Sequence, residues 1–321
     1  MAIDFARYLL AKQTVDDRAL NKDVLRALTV NLAGYPRDAD LIVLEIGGGI
    51  GTMLVRLLRW NVLPPRVIYI LLDVMPGNIA YARDWLPRWA AAHGWQVAFD
   101  PQGVLSLENG VQTLKCHLRC ADLFDYVDQN PPQAHLLIAH AVLDLLPIPE
   151  TMQKITRLLR PGGLAWLTLN FDGVTIFQPE LTLSDLQLSG SVLPRPAPPD
   201  SYIISLYHQT MRARSGGGDS EAGRRLLCYF VQSGIKILAA GASDWVVYPQ
   251  GGSYPADEAY FLQCILHFFE ESLSRHPALN PSLLLAWLEK RRAQIDAGQL
   301  IYIAHQMDFL IAYHPAPEHV T

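Results

Sequence analysis

The apolar run Leu41-Ile-Val-Leu-Glu-Ile46 ends in Gly47-Gly48-Gly49-Ile50-Gly51, and a helical pattern follows at once from Thr52 to Leu63. Few arrangements satisfy that order. A continuously apolar stretch of this kind reads as a strand buried on both faces, and glycines at its end let the backbone turn sharply with no Cβ in the way of a ligand. The unit recurs, with Val67 to Val74 as strand and Pro76 to His93 as helix; Pro76 suits the first helical turn and Gly94 lies just past the last. His135 to His140 reads as a further strand, Ile148 to Leu159 as a helix closed by Pro161-Gly162-Gly163, and Leu164 to Asn170 as another strand. Strands and helices alternating in this way predict a parallel sheet covered on both faces.

Around that alternation the pattern changes. Phe5, Leu9, Leu20, Val24, Leu28 and Leu32 recur mostly at four-residue steps, which predicts two amphipathic helices before the first strand, with Asn21 or Asp16 as a cap for the second. Between Trp95 and Val127, Gln96 to Phe99 and Val111 to Leu118 read as strands, and Asn109-Gly110 marks a hairpin-like insertion. The proline-rich stretch Ser189 to Asp200 and the glycine-rich stretch Ser215 to Asp219 read as loops flanking a short helix, Ile203 to Arg214, that would act as a mobile cover. Then come a helix Glu221 to Ser233, a strand Ile235 to Ala240 continued by Trp245 to Tyr248, two long helices Asp257 to Arg275 and Pro281 to Ala297, and a last strand Leu300 to Ala304 resumed at Phe309 to Tyr313.

Composition narrows the classes of function. The chain of 321 residues is half apolar and 18% charged, enough to bury a large core, with no visible internal repeat. Its 31 acidic and 26 basic side chains form no long block of one sign, so phosphate-backbone binding to nucleic acid is unsupported. The apolar stretches are too short or too interrupted to span a bilayer, which takes ~20 residues. Four cysteines and a start without a basic and then apolar leader point to a reducing cytoplasm. Cys116-His117-x-x-Cys120 would put its cysteines and histidine on opposite faces of a strand, so no metal is expected.

The glycine turn suits a nucleotide-like cofactor, and Asp73 ends the second strand where a carboxylate can accept hydrogen bonds from ribose hydroxyls. A helix cap is the alternative for Asp73, and for Asp122 after the next core strand, which could otherwise take the amino group of adenine. With Glu45 to Gly51 in the pattern acid-x-Gly-x-Gly-x-Gly, Asp73, Ala121-Asp122 and Leu159-Arg-Pro161-Gly162-Gly163 in that order, the chain resembles the class I S-adenosylmethionine-dependent methyltransferases from Leu41 to Asn170. The resemblance implies a Rossmann-like, doubly wound sheet of seven strands with the last antiparallel. It divides the chain into an N-terminal helical lid (1–38), a cofactor-binding core (39–173) and a C-terminal part (174–321) that completes the sheet and caps the site.

The resemblance further implies that Gly47, Gly48, Gly49 and Gly51 turn beneath the methionine part of S-adenosylmethionine, with Glu45 orienting that turn or the amino group. Asp73 with Val74 would hold the ribose, and Ala121, Asp122 and Leu123 the adenine. His140 falls where the family often places a residue facing cofactor and substrate, and Asp144 lies a turn further on. The polar segment Ala11 to Asn21 reads either as folding over the cleft, with Arg18 or Lys12 near the cofactor carboxylate, or as a solvated helix pair linked by a polar turn.

The acceptor is expected to be a small molecule. Only some acceptors need a base, for which the candidates are His140, His208, His305 and Asp172. Arg212, Arg214, Arg224 and Arg225 could bind an anionic substrate group or form a solvated surface. The helix from Tyr260 to Phe269 is apolar around much of its circumference, which suits core packing, a pocket wall or a homodimer contact. Two rival functions remain, a nicotinamide-dependent oxidoreductase and a cofactor-binding protein without catalysis. Against the first, the third glycine of a G-x-G-x-x-G count from Gly47 falls on Thr52.

Overall fold

The computed structural model describes residues 3–131, 133–188, 193, 197–214 and 217–313. Three helices come first, α1 (Phe5–Ala11), α2 (Gln13–Ala19) and α3 (Lys22–Ala33). Then β1 (Leu41–Ile46), α4 (Thr52–Arg59), β2 (Arg66–Asp73) and α5 (Pro76–Ala92) follow in alternation. The strands β3 (Gln96–Phe99), β4 (Leu105–Glu108) and β5 (Thr113–Cys120) lead to α6 (Leu123–Gln129), β6 (Ala134–His140), α7 (Ile148–Leu158) and β7 (Leu159–Gln178). The remainder is α8 (Pro199–Arg212), α9 (Ala222–Gln232), β8 (Lys236–Ala242), β9 (Trp245–Val247), α10 (Glu258–Leu273), α11 (Pro281–Asp296) and β10 (Ile301–Ala312).

The ten strands among the described residues form one sheet, ordered β3-β4-β5-β2-β1-β6-β7-β10-β8, with β9 paired to β10. β5, β2, β1, β6 and β7 are parallel, while β10 is antiparallel to both β7 and β8. The seven-stranded doubly wound sheet expected from the sequence is therefore present, with β3, β4 and β9 added to it. Strand order reverses between β2 and β6 on either side of β1, and a crevice opens at such a switch point, outside the carboxyl ends of the strands. Leu28 of α3, Leu57 of α4 and Leu86 of α5 pack into one apolar cluster with sheet residues, and Val127 of α6, Ile155 of α7 and Phe230 of α9 into another. Both faces of the sheet are covered by these layers. A third cluster joins α1, α8, α10 and α11 to the far ends of β7 and β10, above the crevice.

Several elements depart from the sequence reading. The N-terminal helices number three because, besides the break at Leu20 (ψ 127°) before α3, a second break at Lys12 separates α1 from α2; α1 is capped by Asp4, whose side chain accepts from Arg7 N. Asn21 does cap α3, accepting from Asp23 N and Val24 N, while Asp16 is buried inside α2. Pro161-Gly162-Gly163 is not a loop before a strand but a bulge within β7: Ala134 and Leu136 of β6 face Leu159 and Leu164 of β7. Gly162, at φ +78°, makes that bulge, and its N–H donates to Tyr313 O. β10 is continuous where two pieces were expected, because two bulges carry it past His305 and Asp308. The helix placed at Ile203 begins at Pro199. Residues 189–192, 194–196 and 215–216 of the two expected loops lie outside the described residues.

Candidate functional site

A cavity of about 520 Å³ lies over the carboxyl ends of β1, β2 and β6 and continues beneath α1, α8 and α10. Its first half is made by three strand ends. Gly47, Gly48 and Gly49 line it after β1, Asp73, Val74 and Met75 after β2, and Ala121, Asp122 and Leu123 after β5. Gly47 adopts φ +61°, and a Cβ there would stand 2.7 Å from the Val142 side chain, so the turn tolerates no larger residue. Gly51 belongs elsewhere: it caps α4 at φ +87° and a Cβ would press on Leu86 at 2.9 Å, a helix packing position outside the cavity wall.

Asp73 does two structural jobs at once. Its Oδ2 accepts from Gly49 N at 2.8 Å, and its Oδ1 accepts from Met75 N at 2.8 Å and Asn78 Nδ2 at 3.1 Å. The carboxylate thus clamps the glycine turn and ties down the entry to α5, whose N-cap is Met75, using three of its roughly four acceptor positions. Asp122 caps α6 by accepting from Phe124 N at 2.7 Å and Asp125 N at 3.4 Å. Both bonds fall on Oδ1, so Oδ2 takes no part in the cap. Both residues stand at a helix entry and in the cavity wall, but only Asp122 is a cap.

Beneath the turn, Glu45 is 2% exposed and accepts from Tyr69 Oη at 2.8 Å. Burial pushes its carboxyl up to about 8, against the opposing effects of Tyr69 and Arg56, so it is mostly protonated at neutral pH.

His140 lines the cavity, but both of its ring nitrogens are engaged. Nδ1 lies 2.8 Å from Thr168 Oγ1, and Nε2 lies 3.1 Å from Asp16 Oδ2 and 3.3 Å from Arg56 Nη1. Burial lowers its pKa to about 4, so the ring is neutral; a proton on Nε2 satisfies Asp16 and lets Nδ1 accept from Thr168. Asp16 is the hub of a buried charge cluster that the sequence reading did not find. Its Oδ2 also meets Lys12 Nζ at 3.0 Å and Arg56 Nη2 at 3.1 Å, and its Oδ1 accepts from Trp245 Nε1 at 3.0 Å. The cluster fastens α2 to α4, to the end of β6 and to β9.

The other expected site residues divide. Of the two cations proposed for the cofactor carboxylate, Lys12 lines the cavity. Arg18 does not: it forms a two-pronged pair with the buried Glu258 of α10 at 2.6 and 2.8 Å. Asp172 is drawn away by Arg224, accepting from its N at 2.8 Å and its Nε at 2.9 Å. His305 pairs with Asp244 at 2.6 Å on the face of β10 opposite Tyr302 and Gln306. His208 is set behind the wall residue Thr175, 3.1 Å from its Oγ1, and burial holds its pKa near 4. Arg212, Arg224 and Arg225 are bonded to Ser220, Asp172 and Asp219, whereas Arg214 reaches the cavity.

Three groups at the cavity went unassigned in the sequence reading. α1 contributes Phe5, Tyr8 and Leu9, and Leu9 meets the position of a Gly49 Cβ at 3.0 Å, so α1 lies directly against the turn. Asp144, on a 3-10 turn after β6, faces the cavity with Lys12 and Arg214; burial raises its carboxyl to about 6 against those two cations and a backbone hydrogen bond. The second half of the cavity is aromatic, with Phe171, Tyr207, Trp245, Phe268, Phe269 and Tyr302 on its walls and Gln306 among them. Periodicity did mark α10 as apolar around its circumference. One side of it packs in the core and another, with Ile265, Phe268 and Phe269, forms the chamber wall.

Among the described residues no helix is long and apolar enough to cross a membrane, and no group of three or more His, Cys, Asp or Glu could hold a metal ion. No family model matches the chain, and no curated protein matches it. Among solved structures it is similar to a putative methyltransferase from Bacillus halodurans, at 11% identity and TM-score 0.47, over 91% of this chain and 99% of that one. It is similar to a cyclopropane synthase from Mycobacterium tuberculosis at 10% identity and TM-score 0.42, over 91% and 87%. A third similar structure is geranyl diphosphate C-methyltransferase from Streptomyces coelicolor, in complex with Mg2+, geranyl diphosphate and S-adenosyl-L-homocysteine, at 8% identity and TM-score 0.40, over 90% and 78%.

Proposed function

We propose that this protein is an S-adenosylmethionine-dependent methyltransferase acting on a small molecule. The observation that carries the reading is a single cavity that joins a glycine turn and two strand-end carboxylates to an aromatic chamber. Gly47 to Gly49 would lie beneath the methionine part, and Lys12 would face its carboxylate. Asp73, with one acceptor position open, would take a ribose hydroxyl, and Val74 would pack beside it. Asp122 would use Oδ2 for the adenine amino group, between Ala121 and Leu123. When bound, the cofactor supplies an electrophilic methyl group on a sulfonium.

The chain's own part is to hold donor and acceptor in line and to exclude water. In this reading residues 1–38 close the site, 39–173 hold the cofactor and 174–321 shape the acceptor chamber. His140 serves as a neutral, fixed wall, and Asp144 is the group positioned to accept a proton from the acceptor. A base must be ionised to act, so transfer should rise with pH across a limb near 6 and level off above it. Methyl transfer from labelled S-adenosylmethionine to a panel of aromatic alcohols and amines tests this, in the wild type and in Asp144→Asn. The expected result is transfer with a limb near pH 6 that the variant lacks. Transfer to no acceptor, by a protein that binds the cofactor, would favour the non-catalytic reading instead.

A further inference from the structure

Gln306 sits in the aromatic half of the cavity with no structural task for its side chain. It is 2% exposed, and its Oε1 is buried without a hydrogen-bond partner among the described residues. Its backbone, by contrast, is used: its carbonyl accepts from Ser243 N at 2.9 Å, and its N–H points to Asp244 Oδ1 at 3.4 Å. Two residues on, Asp308 shows what a buried polar group on β10 does when it is structural. Both of its oxygens are taken, by Leu169 N at 2.7 Å and Asn21 N at 2.8 Å.

A buried acceptor without a donor costs free energy, and leucine or methionine would fill the same space without that cost. Gln306 lies opposite Phe171 in the β7–β10 register, and β10 is separated from β1 by β6 and β7. It is therefore on the acceptor side of the cavity. Around it the walls offer ring faces and edges, including Tyr207 and Phe269 stacked with centroids 3.9 Å apart. Of the cations that line the cavity, Lys12 is already paired with Asp16 at 3.0 Å, and Arg214 acts on the carboxylate of Asp144. A charged ligand would enter these apolar surroundings uncompensated, whereas a neutral one would not.

We infer that Gln306 is the specificity-determining residue of the chamber, and that the acceptor is a neutral planar aromatic molecule of one or two rings bearing an N–H or O–H that donates to the Gln306 carboxamide. This rests on the second half of the cavity being the acceptor site. Flat rings fit walls built from aromatic faces, and the single donor supplies the bond that Oε1 lacks.

Matched probes test it without knowledge of the natural substrate. Indole is compared with indene, and 2-naphthol with naphthalene, by calorimetry on the full chain with and without S-adenosylhomocysteine. In the wild type the donor-bearing probe of each pair is expected to bind about 10-fold tighter or more. In Gln306→Leu, shown folded by its melting curve, that preference should vanish and the hydrocarbons should bind at least as well as before. Equal affinities within each pair in the wild type, binding of none of the four probes, or an unchanged preference in the folded variant would overturn the inference. A donor preference in a protein that binds no S-adenosylhomocysteine would uphold it while removing the methyltransferase reading. Cofactor binding with no donor preference would do the reverse.

Discussion

Replacing Asp16 by Ala is expected to lower the free energy of unfolding by about 3–5 kcal/mol, the range for removing one partner from a buried ion cluster. Asp16 is fully buried, and its carboxylate meets Lys12, Arg56, His140 and Trp245. Without it the buried Lys12 loses the carboxylate it pairs with, while Arg56 retains Asp17. Burial alone would push the Asp16 carboxyl up, but Lys12, His140 and Arg56 together hold it well below the usual carboxylate range. The sign of the pH effect follows. A depressed native pKa contributes stability that is present above the unfolded value of 3.8 and lost as pH falls through the native one. Urea unfolding should therefore show a gap between wild type and variant that is full at pH 7 and narrows below pH ~4. A loss under ~1 kcal/mol at pH 7 would mean that water already screens the cluster.

Asp73→Ala should reduce affinity for S-adenosylmethionine by about 10- to 100-fold, the effect of losing a charge-assisted hydrogen bond together with the fixed position of the turn. The second contribution comes from the bond between Gly49 N and Asp73 Oδ2, which ties the glycine turn to the end of β2. The same change removes the bonds to Met75 N and Asn78 at the entry to α5 and so should lower stability by ~1 kcal/mol, the usual size of a lost hydrogen bond. Calorimetric titration beside a melting curve separates the two effects. A fall in melting temperature with unaltered affinity would assign Asp73 to the helix entry alone.

What the sequence disclosed was what local pattern encodes. The apolar run of β1, the glycines after it and the carboxylate ending β2 are contiguous features, and the parallel sheet follows from their repetition. The cap at Asn21 was legible for the same reason, since its partners lie two and three residues away. The ion cluster was not, because Asp16 meets Arg56 and His140 across 40 and 124 positions. One trace was available: Arg56 interrupts Met53-Leu-Val-Arg-Leu-Leu58, where a solvated residue had no obvious face to occupy. Arg18 and Lys12 looked equivalent because both are cations in a polar segment. Glu258, at the start of α10, decides between them by capturing Arg18. Gln306 carried no signal at all, since one polar residue in an alternating strand normally points to water, and only the packing of α1, α8 and α10 above it shows otherwise.

Binding of S-adenosylmethionine in the first half of the cavity is the property on which the proposed chemistry depends. Isothermal titration of the full chain with S-adenosylmethionine, S-adenosylhomocysteine and reduced nicotinamide dinucleotide measures this. Saturable one-to-one binding of the first two and no heat from the third is the predicted result. Saturable binding of the dinucleotide, or binding of none of the three, would contradict it.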